Sequence, residues 1–212
     1  MRIRYFGRSA FLIEDLLIDP YISGNRSCEI APEDISCRIV CVTHSHPDHL
    51  GDAFEIAKRN DAVLVAIFEI AEKAEETGVR TEPMNIGGEI GIGDWQIKMV
   101  EAVHSADMGS PTGFILKNRK AGRTFYHAGD TGLFAGMSLI GGEDIDIAML
   151  PIGGRYTMGI DDALRAVHLI KPKMVIPMHY DAPTGLNIDP QEFKRKCMKP
   201  VEIFRFNEEK EI

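Results

Sequence analysis

The first part of the chain consists of short, mostly apolar segments with polar breaks between them. Three such segments lie at residues 2–6, 10–14 and 16–19, and they are separated by Gly7 and by the turn at Glu14-Asp15. Short alternating or apolar runs are typical of β-strands, and short polar breaks between them are typical of hairpins. The pattern therefore predicts an antiparallel meander at residues 2–19.

From residue 39 onwards the pattern changes to strands that alternate with helices. Apolar runs at 39–42 and 62–66 predict buried strands, whereas longer amphipathic segments at 47–59 and 67–77 predict helices. A second β-rich stretch follows, and the alternation returns in the last third. The elements predicted there are strands at 89–92, 96–100, 113–116, 124–127, 147–150, 174–177 and 201–206, with helices at 161–170 and 190–197.

The order of these elements predicts the class of fold. A meander followed by alternating strands and helices occurs twice, although the two halves share no sequence repeat. Two mixed sheets packed face to face, with helices outside, satisfy this order. The length of 212 residues fits one domain, and no shift in composition marks a linker. We therefore expect an α/β fold formed by a single domain over residues 1–212.

The charge of the chain limits the partners that it can bind. The formal net charge is −8, and the short basic cluster at 194–196 lies on a predicted helix. Nucleic-acid binding normally requires a basic face that neutralises phosphates. We therefore expect a small-molecule substrate rather than a nucleic acid, and association of identical chains is left open.

Apolar runs and cysteines indicate the compartment. No run reaches the length of a membrane span, and no signal-peptide pattern opens the chain. None of the four cysteines forms a C-x2-C pair, and nothing in their spacing calls for disulfides. We expect a cytoplasmic protein with reduced thiols and no contact with a membrane.

A dense group of metal-ligating side chains follows the apolar run at 39–42. His44, His46, Asp48 and His49 fall within six residues. Imidazole and carboxylate together suit divalent zinc, manganese or iron. In an extended segment, side chains two residues apart point the same way, while Pro47 suits the start of a helix and turns the next two side chains aside. Such an arrangement predicts two neighbouring metal positions rather than one.

Further candidate ligands stand where other predicted strands end. Loops at the carboxyl ends of strands are where α/β proteins place their chemistry. The residues at such ends are Asp19, His104, Asp130 and His179.

In its order and spacing, this series resembles the ligand set of the metallo-β-lactamase superfamily. Within that superfamily, the segments YHAGDT at 126–131 and PMHY at 177–180 are similar to small metal-dependent hydrolases related to ascorbate-6-phosphate lactonase. The resemblance covers nearly the whole chain. It implies a four-layer αββα sandwich of two mixed sheets, with a dinuclear metal site between the sheets.

The resemblance also implies which residues hold each ion. The first position would take His44, His46 and His104, the second Asp48, His49 and His179, with Asp130 as the bridge. A hydroxide between the ions would be the nucleophile, and Asp19 would accept a hydrogen bond from a ligand imidazole. We expect zinc as the metal; manganese, iron or nickel suit the same ligands.

Two contrasts with other branches favour a hydrolase. True β-lactamases of this superfamily carry a cysteine where Asp130 stands, and the diiron oxygen-reducing relatives carry a glutamate where His46 stands. We therefore expect a hydrolase that acts on a small-molecule ester or lactone. The alternatives left open are a phosphodiesterase acting on nucleotides or RNA and a metal-binding protein without catalysis.

The sequence leaves the functions of a few candidate residues open. Asp130, Asp48 and His127 are the candidate catalytic residues, although strand alternation points His127 away from Asp130. Arg8 stands where the related branch usually carries a histidine, so it either binds an anionic group of the substrate or is a surface charge. Arg155 follows Gly153-Gly154 and is a tentative substrate contact.

Overall fold

A computed structural model describes residues 1–180 and 188–212. The chain divides into two compact units. The first unit contains Met1–Asn85, Ser105–Pro111 and Phe204–Ile212, and the second contains Ile86–His104 and Thr112–Ile203. Each unit is built on its own mixed sheet. The expectation of a single domain over residues 1–212 stays a prediction.

The sheet of the first unit is antiparallel on one side and parallel on the other. Its strands are β1 (Arg2–Gly7), β2 (Ala10–Ile13), β3 (Leu16–Ile18), β4 (Ile39–Cys41), β5 (Val63–Ile67), β6 (Arg80–Met84) and β13 (Glu209–Glu211). They lie in the order β13-β1-β2-β3-β4-β5-β6. Pairing is antiparallel from β13 to β3 and parallel from β3 to β6. The predicted meander of β1, β2 and β3 is confirmed.

The sheet of the second unit repeats this arrangement. Its strands are β7 (Glu89–Ile92), β8 (Trp95–Glu101), β9 (Thr112–Asn118), β10 (Arg123–His127), β11 (Ile147–Pro151) and β12 (Met174–Met178). They lie in the order β12-β11-β10-β9-β8-β7. Pairing is antiparallel from β7 to β10 and parallel from β10 to β12. The two predicted halves of the chain thus form sheets of similar design.

Helices follow parallel strands in both sheets. They are α1 (Pro47–Leu50), α2 (Ala53–Arg59), α3 (Phe68–Glu75), α4 (Met137–Ile140), α5 (Ile160–Ile170) and α6 (Pro190–Lys196). The longest, α5, buries Ala163, Ala166, Val167 and Ile170 on one face, as expected for a helix that packs on a sheet. In the described part of the chain, no helix has the length and apolar character needed to cross a membrane.

The helix predicted at 47–59 is wrong as a single element, because it breaks at Gly51 into α1 and α2. The φ angle of Gly51 is 41°, and a Cβ atom there would lie 2.5 Å from the carbonyl oxygen of Pro20. Only glycine permits this approach between two backbones. At this break, the segment after β3 therefore packs closely against the segment that carries the histidines.

Two strand predictions also need correction. The strand predicted at 201–206 is reduced to one bridge between Val175 and Val201, and the chain instead adds β13 to the edge of the first sheet. The strand β6 was not predicted, because Glu82 and Pro83 interrupt its apolar pattern. As the last strand in its sheet, β6 tolerates a proline that cannot donate to a ladder.

Candidate metal centre

Three predicted ligands of the first unit pack against one another. The ring of His44 lies 4.6 Å from that of His46 and 4.1 Å from that of His49, between centroids. The Nε2 atom of His44 is 3.0 Å from Nδ1 of His46. Two nitrogens that each bind one tetrahedral zinc ion at about 2.0–2.1 Å lie about 3.3 Å apart. The two imidazoles therefore fit adjacent positions around one ion.

The end of β4 and the start of α1 produce this convergence. His44 and His46 lie in the extended segment after β4, and Pro47 begins the helix with His46 at the N-cap position. The backbone of His46 is extended, with φ −61° and ψ 144°. Asp48 and His49 then project from the first helical turn. The strand-to-helix transition expected from Pro47 is confirmed.

Asp19 supports the predicted ligands by hydrogen bonds to Thr43 and His49. Its carboxylate is fully buried and accepts hydrogen bonds from the Thr43 backbone N–H (2.8 Å), the Thr43 hydroxyl (2.7 Å) and Nδ1 of His49 (2.7 Å). The bond to Asp19 places the proton of His49 on Nδ1, so Nε2 carries the lone pair that a metal requires. This geometry fits the predicted support of a ligand by Asp19, which stays a prediction.

Thr43 extends the same control to His44. Its hydroxyl proton goes to Asp19, and its oxygen lies 3.1 Å from Nδ1 of His44. Because a hydroxyl has one proton, Nδ1 of His44 must donate to this oxygen, which leaves the lone pair on Nε2. Sequence reasoning missed Thr43, since only its contact with Asp19, 24 residues earlier, shows its function.

Arg8 lies beside the remaining predicted ligand of the first unit. Its Nη2 atom is 3.4 Å from Oδ2 of Asp48, and the two side chains are 11% and 27% exposed. The alternative that Arg8 is a surface charge is therefore wrong.

Ser45, which lies between His44 and His46, binds the segment of Asp107 and Met108. Its Oγ accepts hydrogen bonds from the backbone N–H groups of Asp107 (2.9 Å) and Met108 (3.0 Å).

In the second unit, one carboxylate lies between two imidazoles. Oδ2 of Asp130 is 3.7 Å from Nε2 of His104 and 3.2 Å from Nε2 of His179. Asp130 and His179 are buried and His104 is nearly so. The structure thus brings together all three predicted ligands of this unit, which follow the ends of β8, β10 and β12.

Thr131 fixes the distance between two of these strand ends. Its Oγ1 accepts a hydrogen bond of 2.9 Å from the backbone N–H of Val103 and donates one of 2.7 Å to the carbonyl of Gly132. The N–H of Gly132 in turn donates to the carbonyl of Val103. The residue after Asp130 is therefore bonded to the residue before His104. This contact between distant segments carries no local sequence signal.

His179 has a backbone conformation that is uncommon for a residue with a side chain. Its φ is 57°, and such left-handed outliers often mark functional sites. A Cβ atom at Gly153 would lie 2.5 Å from the carbonyl oxygen of His179, so the loop after β11 must carry glycine at this position. Gly153 therefore permits a close approach to the backbone that presents His179.

The two other predicted residues of the second unit lie in different surroundings. His127 is buried, and its Nδ1 accepts a hydrogen bond of 3.2 Å from the N–H of Gly129. It thereby shapes the turn that leads to Asp130, and its assignment as a catalytic residue stays a prediction. Arg155 is exposed and lies over the ring of Tyr156, 5.3 Å from its centroid; its contact with substrate also stays a prediction.

The donor groups fit divalent metal ions. They are imidazoles and carboxylates, most of them buried, and the imidazoles of His44 and His49 are held by further hydrogen bonds, which is the chemistry of zinc and related ions in proteins. In the absence of cations, gathering buried carboxylates would be costly. Each unit therefore offers a set of side chains whose chemistry suits divalent metal ions.

Comparison with known proteins identifies the class. The family described as beta-lactamase superfamily domain matches residues 2–179, and the chain belongs to this superfamily, which confirms the resemblance. A UPF0173 metal-dependent hydrolase of Nanoarchaeum equitans is 46% identical, and the alignment covers 100% of this chain and 99% of the relative.

Solved structures agree with this placement. Igni18, a metallo hydrolase from the hyperthermophilic archaeon Ignicoccus hospitalis, is 37% identical with a TM-score of 0.91, covering 100% of this chain and 98% of that one. The metallo-beta-lactamase fold protein YhfI from Bacillus subtilis has a TM-score of 0.74 at 14% identity, with 99% of each chain covered. The predicted fold class, two mixed sheets with helices in the metallo-β-lactamase fold, is confirmed.

Proposed function

We propose that the protein is a dinuclear metal-dependent hydrolase that cleaves a small-molecule ester or lactone. The coarser statement, that it is a metal-dependent hydrolase of the metallo-β-lactamase fold, is confirmed by its relatives. The proposal adds the number of ions, the residues that hold them and the bond that is cleaved.

The position of Asp130 is the observation that carries this proposal. Its Oδ2 atom lies beside His104 and beside His179, two residues that the family resemblance allots to different ions. A carboxylate can contribute one oxygen to each of two cations and offsets their mutual repulsion, at the ion separation of about 3.5–4 Å known for dinuclear sites. A site for a single ion does not require a shared anion between two ligand imidazoles.

The other ligands are allotted as the resemblance implies. One ion would be held by His44, His46 and His104, the other by Asp48, His49 and His179, with Asp130 shared. When bound, the ions would polarise the scissile carbonyl and supply hydroxide at neutral pH. Asp19 keeps His49 in the ligating tautomer, and the Thr131 hydroxyl holds the segments of Asp130 and His104 at a constant spacing.

The cysteines of the first unit do not provide an alternative nucleophile. Burial raises the pKa of Cys37 to about 12 and the pKa of Cys41 well above its usual value, and it also raises the pKa of Cys28. A thiol is nucleophilic only as the thiolate, and at neutral pH these thiols are protonated. The raised pKa values therefore disfavour nucleophilic catalysis by these three thiols.

A substrate panel tests the proposal. Metal-free protein is reconstituted with zinc or with manganese and assayed on model aliphatic lactones, p-nitrophenyl esters and bis-p-nitrophenyl phosphate. The proposal predicts turnover of a lactone or ester that the metal-free protein and the Asp130→Ala variant lack. Turnover of the phosphodiester alone would replace it with the phosphodiesterase alternative.

Two further results would contradict the proposal in different ways. Ester turnover that persists in Asp130→Ala at the wild-type rate would contradict the assignment of Asp130 as the bridging carboxylate. No turnover on the whole panel by protein that carries two ions would favour metal binding without catalysis. The same proposal includes zinc as the native metal, a small-molecule substrate and a cytoplasmic location. Metal analysis of protein purified from its native cells tests whether the native metal is zinc.

A further inference from the structure

Arg8 and Asp48 form an ion pair at a predicted metal ligand. Nη2 of Arg8 is 3.4 Å from Oδ2 of Asp48, and the side chains are 11% and 27% exposed. Water and salt screen such a half-buried pair less than a pair at the surface. The guanidinium charge therefore acts on the carboxylate that would hold the second ion.

The hairpin between β1 and β2 holds Arg8 at this place. Its φ of 55° lies in the left-handed region, and its carbonyl accepts a hydrogen bond of 2.9 Å from the hydroxyl of Tyr5. The ring of Tyr5 stacks on Phe11 with centroids 4.6 Å apart, and both rings are fully buried. The backbone of Arg8 is thus fixed by the core, which keeps the guanidinium within reach of Asp48.

We propose that Arg8 makes the position of Asp48, His49 and His179 the weaker of the two metal positions. This inference rests on the dinuclear centre proposed above. An ion at that position must displace the interaction of the guanidinium with Asp48, and it must also approach a fixed positive charge. Both effects lower the affinity of the carboxylate for a cation, just as a neighbouring cation lowers its affinity for a proton.

Apart from the shared Asp130, the other metal position has no carboxylate ligand with which an arginine could pair. Its other ligands are His44, His46 and His104, which are neutral when they bind metal. The first position therefore binds an ion without breaking an ion pair, whereas the second gains the charge of Asp48 only by breaking its pair with Arg8. The consequence is ordered loading, in which one ion binds at low metal concentration and the second binds only at a higher concentration.

Zinc titration of metal-free protein against a competing chelator tests this order. Wild-type protein is expected to take up two ions with clearly separated affinities. In Arg8→Gln, the loss of the charge is expected to strengthen binding of the second ion by roughly tenfold or more and to leave the first unchanged. Arg8→Lys keeps a positive charge and is expected to stay near the wild-type separation.

A matched control lies on β1, the strand that leads to Arg8. Arg4 pairs with Glu209 at 3.0 Å, so Arg4→Gln removes an equal charge from β1 without touching a predicted ligand and is expected to leave both affinities unchanged. Thermal unfolding of the metal-free variants verifies that each is folded. A purely structural function of Arg8 would instead weaken both ions in Arg8→Gln.

The outcomes separate this inference from the function on which it rests. Two ions in every variant, with the same separation of affinities in wild type and Arg8→Gln, would overturn the weakening by Arg8 and leave the dinuclear proposal standing. Weaker binding of the second ion in Arg8→Gln would also overturn it. Fewer than two ions in wild type and in Arg8→Gln at saturating zinc would overturn the dinuclear proposal and this inference with it.

Discussion

The two sets of predicted ligands are assembled in different ways. In the first unit, His44, His46 and His49 come from one short segment that runs from the end of β4 into α1, and Thr43 and Asp19 fix the tautomers of His44 and His49 directly. In the second unit, Asp130 lies beside two imidazoles that follow other strands, and its surroundings depend on backbone contacts between distant segments. A continuous motif therefore specifies the first set, whereas the pairing of strands specifies the second.

The largest expected effect tests whether the two sets share an ion. His49→Ala in the first unit and His179→Ala in the second remove ligands that we assign to the same ion. Each change is expected to lower bound zinc from two ions to one and turnover by more than the roughly 10–100-fold typical of lost outer-shell partners. Metal analysis by mass spectrometry and steady-state kinetics measure both quantities.

The double variant sharpens this test. If His49 and His179 serve one ion, His49→Ala combined with His179→Ala is expected to be no worse than either single change, because residues that act as a unit are not additive. A protein without bound zinc, or a multiplied loss of turnover, would mean that the two histidines serve different ions.

A smaller effect is expected when the support of the first set is changed. Asp19→Asn replaces one carboxylate oxygen by an NH2 group, so the side chain can no longer accept both the Thr43 backbone N–H, now bound at Oδ1, and the Thr43 hydroxyl and His49, now bound at Oδ2. Zinc affinity is expected to fall by about 10–100-fold, as measured by chelator competition. Asp15→Asn is the matched control, because Asp15 pairs with Arg38 at the surface. Equal affinities in the two variants would contradict the assigned function of Asp19.

A change in the loop that packs on His179 is expected to lower the stability of the protein. Gly153→Ala would place a methyl group 2.5 Å from the carbonyl oxygen of His179, and such overpacking costs about 1–3 kcal/mol. At Gly142 a Cβ atom meets nothing within 4 Å, so Gly142→Ala is expected to leave the free energy of unfolding nearly unchanged. Urea unfolding compares the two, and equal stabilities would show that the contact at Gly153 is unimportant.

The smallest effect concerns a charge network of the second unit that involves no predicted ligand. Hydrogen bonds from Lys98 and Lys117 lower the pKa of Glu143 below its usual value of 4.5. A lowered pKa in the folded state stabilises the protein at neutral pH, and this contribution disappears as the pH falls through the folded-state pKa. Glu143→Gln is therefore expected to lose a little stability at neutral pH and none in acid, with unchanged zinc content.

Thermal unfolding at several pH values measures this difference. A deficit of Glu143→Gln that persists unchanged in acid would show that the charge of Glu143 is not its cause.

The sequence predicted the first set more completely than the second for physical reasons. The spacing of His44, His46 and His49 around Pro47 implies convergence by strand and helix geometry alone. The sequence placed His104 and Asp130 only at the ends of predicted strands, because their approach to each other depends on Thr131 and Val103, which are bonded across 28 residues. Contacts of this kind leave no periodic signal in the chain.

The errors in the predicted elements have the same origin. The break at Gly51 follows from its approach to Pro20, and the final strand forms at residues 209–211 because the edge of β1 accepts it. Both are decided by tertiary contacts, which override local apolar patterns. By contrast, α5 shows a full apolar stripe, and its bounds match the prediction to within one residue.

An anomalous difference map of zinc-loaded crystals would test the central claim most directly, because it locates each ion without reference to activity. The account predicts two zinc peaks about 3.5–4 Å apart, with Asp130 in contact with both, and with ligands from both units at each ion. A single peak, or two peaks of which only one contacts Asp130, would contradict the dinuclear centre.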